Sequence, residues 1–140
     1  MLFGKNKEAN EPKADSRVSV MIVDDDESIT EGLRELIENE LNMPGSVTTS
    51  GDGRDALTRY ATYKPRVVIL DMMLPKLSGF LVLERMKKDA TPPYVIMITA
   101  NEGRRHMQYA ESMGVDSYML KPINNKKLLD EVKKGLGSGN

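Results

Sequence analysis

Cysteine is absent from the 140 residues, which excludes thiol nucleophiles, thiolate metal sites and any disulfide framework, and fits a reducing compartment. A dominant charge is missing too. Twenty basic residues against 21 acidic ones leave a formal net charge of −1, so no basic excess points to nucleic acid or to a membrane surface. Long apolar runs are lacking: none approaches a membrane span, and the opening MLFGKNKEANEPKADSR has only Leu2 and Phe3 before it turns polar, which does not suit a signal peptide. These absences leave a chain read as cytoplasmic, long enough for one domain with a proper core and too short for two. Residues 1–16, of low hydrophobicity and mixed charge, are expected to be a disordered extension. Residues 17–136 are the expected domain, and 137–140, Gly-Ser-Gly-Asn, a flexible tail.

What is present is a set of short apolar runs that stop at polar residues. Val18-Ser19-Val20-Met21-Ile22-Val23 ends at Asp24 and Asp25; Val67-Val68-Ile69-Leu70 ends at Asp71; Tyr94-Val95-Ile96-Met97-Ile98 ends at Thr99; Tyr118-Met119-Leu120 ends at Lys121. Such runs read as strands buried on both faces. Ser46 to Thr49 supplies a weaker strand, expected at an edge. Helix-period stretches lie between them. Ile29, Leu33, Leu36, Ile37 and Leu41 make one stripe with Ser28 as expected N-cap. Ala56, Leu57, Tyr60 and Ala61 mark a second helix, and Leu83 and Met86, after Ser78-Gly79, a third. Met107, Ala110 and Met113, ended by Gly114, mark a fourth, and Leu128, Leu129, Val132 and Leu136 a fifth. Strict alternation of strand and helix implies right-handed crossovers, hence an α/β fold with a parallel sheet covered by helices on both faces.

In such a sheet ligands gather at the carboxyl ends of the strands, where Asp24, Asp25, Asp71, Thr99 and Lys121 all stand. Carboxylates brought that close repel one another, and the arrangement makes sense with a divalent cation, Mg²⁺, among them and an ammonium nearby to balance a further anion. Neighbouring side chains leaving a strand diverge, so at most two of Asp24, Asp25 and Asp26 can reach one ion, directly or through water. Asp71 precedes Met72-Met73-Leu74-Pro75, whose proline breaks the chain into a loop. A carboxylate there can attack phosphorus in line and yield an acyl phosphate. Thr99 could donate its hydroxyl to a phosphoryl oxygen, and Ala100 is small enough to admit one. Lys121 precedes Pro122 in a tight turn that suits a cis peptide bond. His106, on a polar helix beside Arg104 and Arg105, is expected at the surface; the ten methionines are expected to be plastic core packing, and Lys126, Lys127, Lys133 and Lys134 a solvated helix face.

Four motifs in order, Val23-Asp24-Asp25, Leu70-Asp71-Met72-Met73-Leu74-Pro75-Lys76-Leu77-Ser78-Gly79, Ile98-Thr99-Ala100 and Tyr118-Met119-Leu120-Lys121-Pro122, resemble the receiver domain of two-component response regulators. The resemblance runs from Val18 to Leu136 and suggests a stand-alone, chemotaxis-regulator-like form. It implies a flavodoxin-like sheet of order 2-1-3-4-5 and phosphoryl transfer from a histidine kinase or histidine phosphotransfer protein. By resemblance Asp71 would be the phosphoacceptor, Asp25 a direct Mg²⁺ ligand, Asp24 a ligand through water, and the Met73 carbonyl a further ligand. Thr99 and Lys121 would hold phosphoryl oxygens, and Tyr118 would be the aromatic switch that turns inward with Thr99. The fourth helix, fifth strand and fifth helix would form the output surface for a downstream protein target. A phosphorylation-dependent dimer is compatible with this; membrane and direct nucleic-acid contacts are not expected. The domain would catalyse only its own phosphorylation and dephosphorylation. Met73 departs from the polar residues able to orient water at its position, so slow dephosphorylation is expected.

Three other readings compete. Asp24-Asp25-Asp26 contains the Asp-x-Asp of a haloacid dehalogenase-like phosphatase, but that family needs an acidic cluster after its lysine, where only Asp130 and Glu131 follow. A flavin module is weaker, because an acidic first loop repels a cofactor phosphate. A receiver-shaped interaction module that takes no phosphate would not need the acid, threonine and lysine set.

Overall fold

The computed structural model describes residues 17–100 and 103–137; the expected leader at 1–16 and residues 138–140 of the tail lie outside them. The aliphatic runs form β1 (Val20–Val23), β2 (Val47–Ser50), β3 (Val67–Asp71), β4 (Tyr94–Thr99) and β5 (Ser117–Leu120). All pairings are parallel, and the order is β2-β1-β3-β4-β5. The crossovers are α1 (Glu27–Glu40), α2 (Gly53–Tyr63), α3 (Gly79–Lys87) and α4 (Arg104–Ser112), with α5 (Asn125–Leu136) closing the chain. The expected architecture and strand order are both found, with the weak Ser46–Thr49 strand at the edge, shifted by one residue.

Because side chains alternate along each strand, the sheet feeds two cores. Val20, Ile22, Val67, Ile69, Ile96 and Ile98 face α1 and α5, meeting Leu33, Ile37, Leu128 and Val132. Met21, Val23, Val68, Leu70, Val95 and Met97 face α2, α3 and α4, meeting Ala56, Tyr60, Val82, Leu83, Met86 and Ala110. Each fully buried aliphatic side chain of this size contributes ~1.5–3 kcal/mol, so the two faces together fix the register of the strand ends that carry the polar residues. A one-residue slip would exchange the cores and turn those polar ends over.

Several local expectations are corrected. The N-cap of α1 is Asp26, whose carboxylate accepts from Ser28 N at 3.0 Å and Ser28 Oγ at 2.7 Å; Ser28 is the donor because the helix begins one residue before it. Methionine packing holds for Met21, Met72, Met86, Met97 and Met119, but Met73 and Met107 are exposed. His106 is half-buried, stacked on Phe80 with ring centroids 6.2 Å apart, because α4 packs its inner edge against the start of α3. The four lysines of α5 are exposed as expected, and Lys121-Pro122 is cis. No helix among the described residues is long and apolar enough to cross a membrane.

Candidate functional site

Four strand ends assemble the site through backbone hydrogen bonds that run past the regular ladders. Asp24 N donates to Ser50 O at 3.0 Å, Met72 N to Ile98 O at 3.0 Å, and Lys121 N to Thr99 O at 2.8 Å. Asp24, Asp71 and Thr99 are thereby buried at the sheet edge, while Asp25 is exposed at the mouth. Carboxylate oxygens of Asp24, Asp25 and Asp71 lie within 4.8 Å of one another. Lys121 Nζ reaches in from β5 to Asp24 Oδ2 at 2.8 Å and Asp71 Oδ2 at 3.2 Å.

Each buried carboxylate has its other oxygen tied to the loop that follows it. Asp24 Oδ1 accepts from Asp26 N at 2.9 Å, and Asp71 Oδ1 from Met73 N at 3.1 Å. Both therefore stand in a fixed orientation. Gly79 makes the second loop feasible. Its N–H bonds to Met72 O at 3.1 Å, and a Cβ there would collide with the Asp71 carbonyl and the Met72 backbone, so only glycine lets α3 start this close to β3. Gly79 belongs to the motif read from the sequence, but its structural duty was not; a glycine directly after a helix-capping serine was the available signal.

Burial raises the Asp71 carboxyl above the usual carboxylate range, and the Asp24 charge adds to this, against the Met73 N–H and the Lys121 ammonium. For Lys121, burial works to lower the ammonium, but its hydrogen bond to Asp24 and the charges of both acids prevail and raise it. Three acids against one base leave an excess of negative charge held in place by the fold. The donor set is entirely hard oxygen, with no His or Cys in the cluster, which fits a cation such as Mg²⁺ or Ca²⁺ and not a soft metal.

The remaining expected residues fall as follows. Thr99 ends β4 and is fully buried; Ala100 follows it and is exposed. The Met73 side chain is 66% exposed just after Asp71. Tyr118 lies on β5 opposite Met97 and packs on the core of the α3–α4 side. Its hydroxyl is buried with no hydrogen-bond partner among the described residues, and burial raises its pKa. Asp26 does not join the acids, because it caps α1.

A doubly wound five-stranded sheet with an acid triad and a lysine at its carboxyl edge defines a class of α/β domains whose strand ends are built to hold a hard cation. Residues 20–133 match the response regulator receiver domain, and the chain belongs to that family. It is 38% identical over 115 residues to a probable transcriptional regulator of Guillardia theta, covering 81% of this chain and 43% of that protein. It is 33% identical to the alkaline phosphatase synthesis transcriptional regulatory protein PhoP of Bacillus subtilis, covering 81% of this chain and 46% of the relative. The chain thus spans less than half the length of these curated relatives, and the expected stand-alone form finds no support in them. Among solved structures, a CheY-like receiver domain from Methanospirillum hungatei superposes with a TM-score of 0.78 at 25% identity, covering 86% of this chain and 94% of that one. A CheX-CheY-BeF3-Mg²⁺ complex from Borrelia burgdorferi gives 0.76 at 25% identity, over 85% and 89% of the two chains.

Proposed function

We propose that the domain accepts a phosphoryl group onto Asp71 from the phosphohistidine of a sensor kinase or phosphotransfer protein, in a Mg²⁺-dependent reaction, and signals through the surface of α4, β5 and α5. The observation that carries this is the pose of Asp71: a buried carboxylate held by Met73 N–H on one oxygen and by Lys121 on the other, beside two more acids. Asp24, Asp25, Asp71 and the Met73 carbonyl would hold the ion, Asp24 through water. Bound there, the cation supplies the positive charge that screens incoming phosphoryl oxygens from the acids. An Asp71 oxygen attacks phosphorus, the P–N bond to the donor imidazole breaks, and its electron pair stays on the imidazole nitrogen. Lys121 then exchanges one carboxylate partner for a phosphoryl oxygen, Thr99 donates to another, and Ala100 leaves room for the group.

The readout is a population shift. Phosphate adds bonds to Thr99 and Lys121 that only one arrangement of β4 and β5 can make, and Tyr118, already packed inward with an unpaired hydroxyl, would follow Thr99. The domain works in the cytoplasm and turns over only its own acyl phosphate. Relatives whose names speak of transcription confine the expectation of no nucleic-acid contact to the receiver fold itself.

The hydrolase reading loses its second acid, because Asp26 is committed to Ser28. Incubation with acetyl phosphate and Mg²⁺, followed by intact-mass measurement, tests the proposal. One phosphoryl adduct on wild type and none on Asp71→Asn is expected. Turnover of a phosphomonoester would favour the hydrolase, and an unlabelled wild type the interaction module.

A further inference from the structure

Met72 and Met73 stand side by side in the loop after β3, with the same thioether and opposite surroundings. Met72 is 1% exposed and joins the core under α2, α3 and α4, while Met73 is 66% exposed. Among the described residues no other methionine is as open: Met107 follows at 36%, and Met21, Met86, Met97 and Met119 are buried. Met73 packs in neither core, so the fold gains nothing from its side chain. Its backbone is nonetheless fixed, because Met73 N donates to Asp71 Oδ1 at 3.1 Å. The thioether is therefore tethered at the mouth of the acid site, on a side chain too short to leave it.

We infer, resting on the phosphotransfer reading above, that Met73 is an oxidation site for hydrogen peroxide, and that its sulfoxide hastens loss of the phosphoryl group from Asp71. A sulfur lone pair attacks one peroxide oxygen, the S–O bond forms as the O–O bond breaks, and the departing oxygen takes up a proton and leaves as water. The thioether is oxidised by two electrons and the peroxide is reduced by two. Conversion follows solvent access to the sulfur, which Met73 has and Met72 lacks. The product replaces an apolar group with a polar S=O. That oxygen accepts hydrogen bonds, where the thioether sulfur is only a weak acceptor. A water that attacks an acyl phosphate gives up protons as it adds to phosphorus, and an acceptor that holds it in place lowers that barrier. Oxidation thus turns a slowly resetting site into a faster one, with Asp71, Thr99 and Lys121 untouched. Because methionine sulfoxide is enzymatically reducible, the change is reversible.

The test exposes wild type, Met73→Leu and Met107→Leu to hydrogen peroxide, removes the excess with catalase, and maps sulfoxide by tandem mass spectrometry of the peptide that holds both Met72 and Met73. Each protein, oxidised and not, is then labelled with acetyl phosphate and Mg²⁺, freed of the donor, and followed by intact mass as the adduct decays. Sulfoxide should build up at Met73 well before Met72. Oxidised wild type and oxidised Met107→Leu should lose the adduct about twofold to tenfold faster than their unoxidised forms, the factor that one added hydrogen bond of ordinary net strength supplies. Met73→Leu should decay at one rate before and after peroxide, and methionine sulfoxide reductases for both epimers should return wild type to its first rate. Equal oxidation of Met72 and Met73 overturns the site. A decay unchanged by full conversion of Met73, or one that quickens as much in Met73→Leu, overturns its consequence. An unoxidised wild type that takes no label would instead overturn the phosphotransfer reading, with the sulfoxide map still deciding the oxidation site.

Discussion

Replacing Asp71 with asparagine should stabilise the metal-free protein. Oxygens of Asp24 and Asp71 lie within 4.8 Å, and at an effective dielectric near 20 such a pair repels by roughly 3–4 kcal/mol. Lys121 at 3.2 Å offsets roughly 5 kcal/mol by the same reckoning, but that ammonium is shared with Asp24. Asp25, exposed at the mouth, adds a screened repulsion, and burial of Asp71 opposes its ionisation. The two Coulomb figures alone would favour the charge by roughly 1–2 kcal/mol; burial, the largest influence on this carboxyl, reverses the sign and raises it, so the neutral isostere should gain on the order of 1 kcal/mol. Asparagine keeps an oxygen for Met73 N–H, and therefore keeps the loop. Urea unfolding in EDTA measures the gain, and the same titration in excess Mg²⁺ should reduce or reverse it, because a cation among the acids turns the lost charge into a lost ligand. If Asp71→Asn is no more stable than wild type in EDTA, or if Mg²⁺ stabilises both equally, the electrostatic account of the site is wrong.

Other perturbations probe its supports. Gly79→Ala forces a Cβ onto the Asp71 carbonyl and should cost about 2 kcal/mol or more, lowering the melting temperature and the rate of labelling together. At the opposite edge of the sheet, the hydrogen bond from Lys64, helped by Tyr60 and by Thr91 N–H, holds the Asp89 carboxyl down to about 2, against an ordinary 3.8. A depressed carboxylate stabilises the fold above its unfolded pKa and loses that contribution as pH falls through the folded value. Acid unfolding of wild type should therefore steepen between about pH 4 and pH 2, and Asp89→Asn should flatten that limb. Met73→Asn, which sets a polar group where an exposed thioether stands beside Asp71, should shorten the acyl-phosphate lifetime; equal lifetimes would show that Met73 does not govern the approach of water.

The fold was legible because the strands are short, aliphatic and bounded by polar residues, and because their alternation with helices admits few topologies. Asp24, Asp71, Thr99 and Lys121 were legible for the same reason: a polar residue closing a buried run stands at the strand end whatever the details. What escaped was set by local hydrogen bonding or by contact between distant helices. Asp26 and Ser28 both suit an N-cap, and the decision rests on where α1 begins. His106 looks solvent-facing within its own helix, yet Phe80, brought over by α3, stacks on it. Met73 follows the buried Met72 and shares its chemistry, yet the backbone turn that points Met73 N–H at Asp71 leaves its side chain outside. Gly32 and Gly79 are the same letter in the sequence, yet a Cβ would meet nothing within 4 Å at Gly32, in the middle of α1, and would strike the Asp71 carbonyl at Gly79.

The most direct test of the central claim is to label the protein with acetyl phosphate and Mg²⁺, reduce the acyl phosphate with borohydride, and locate the modified residue by peptide sequencing in a mass spectrometer. Conversion of Asp71 alone to homoserine is the expected result. Conversion of Asp24, Asp25 or any other carboxylate, with Asp71 untouched, would contradict it.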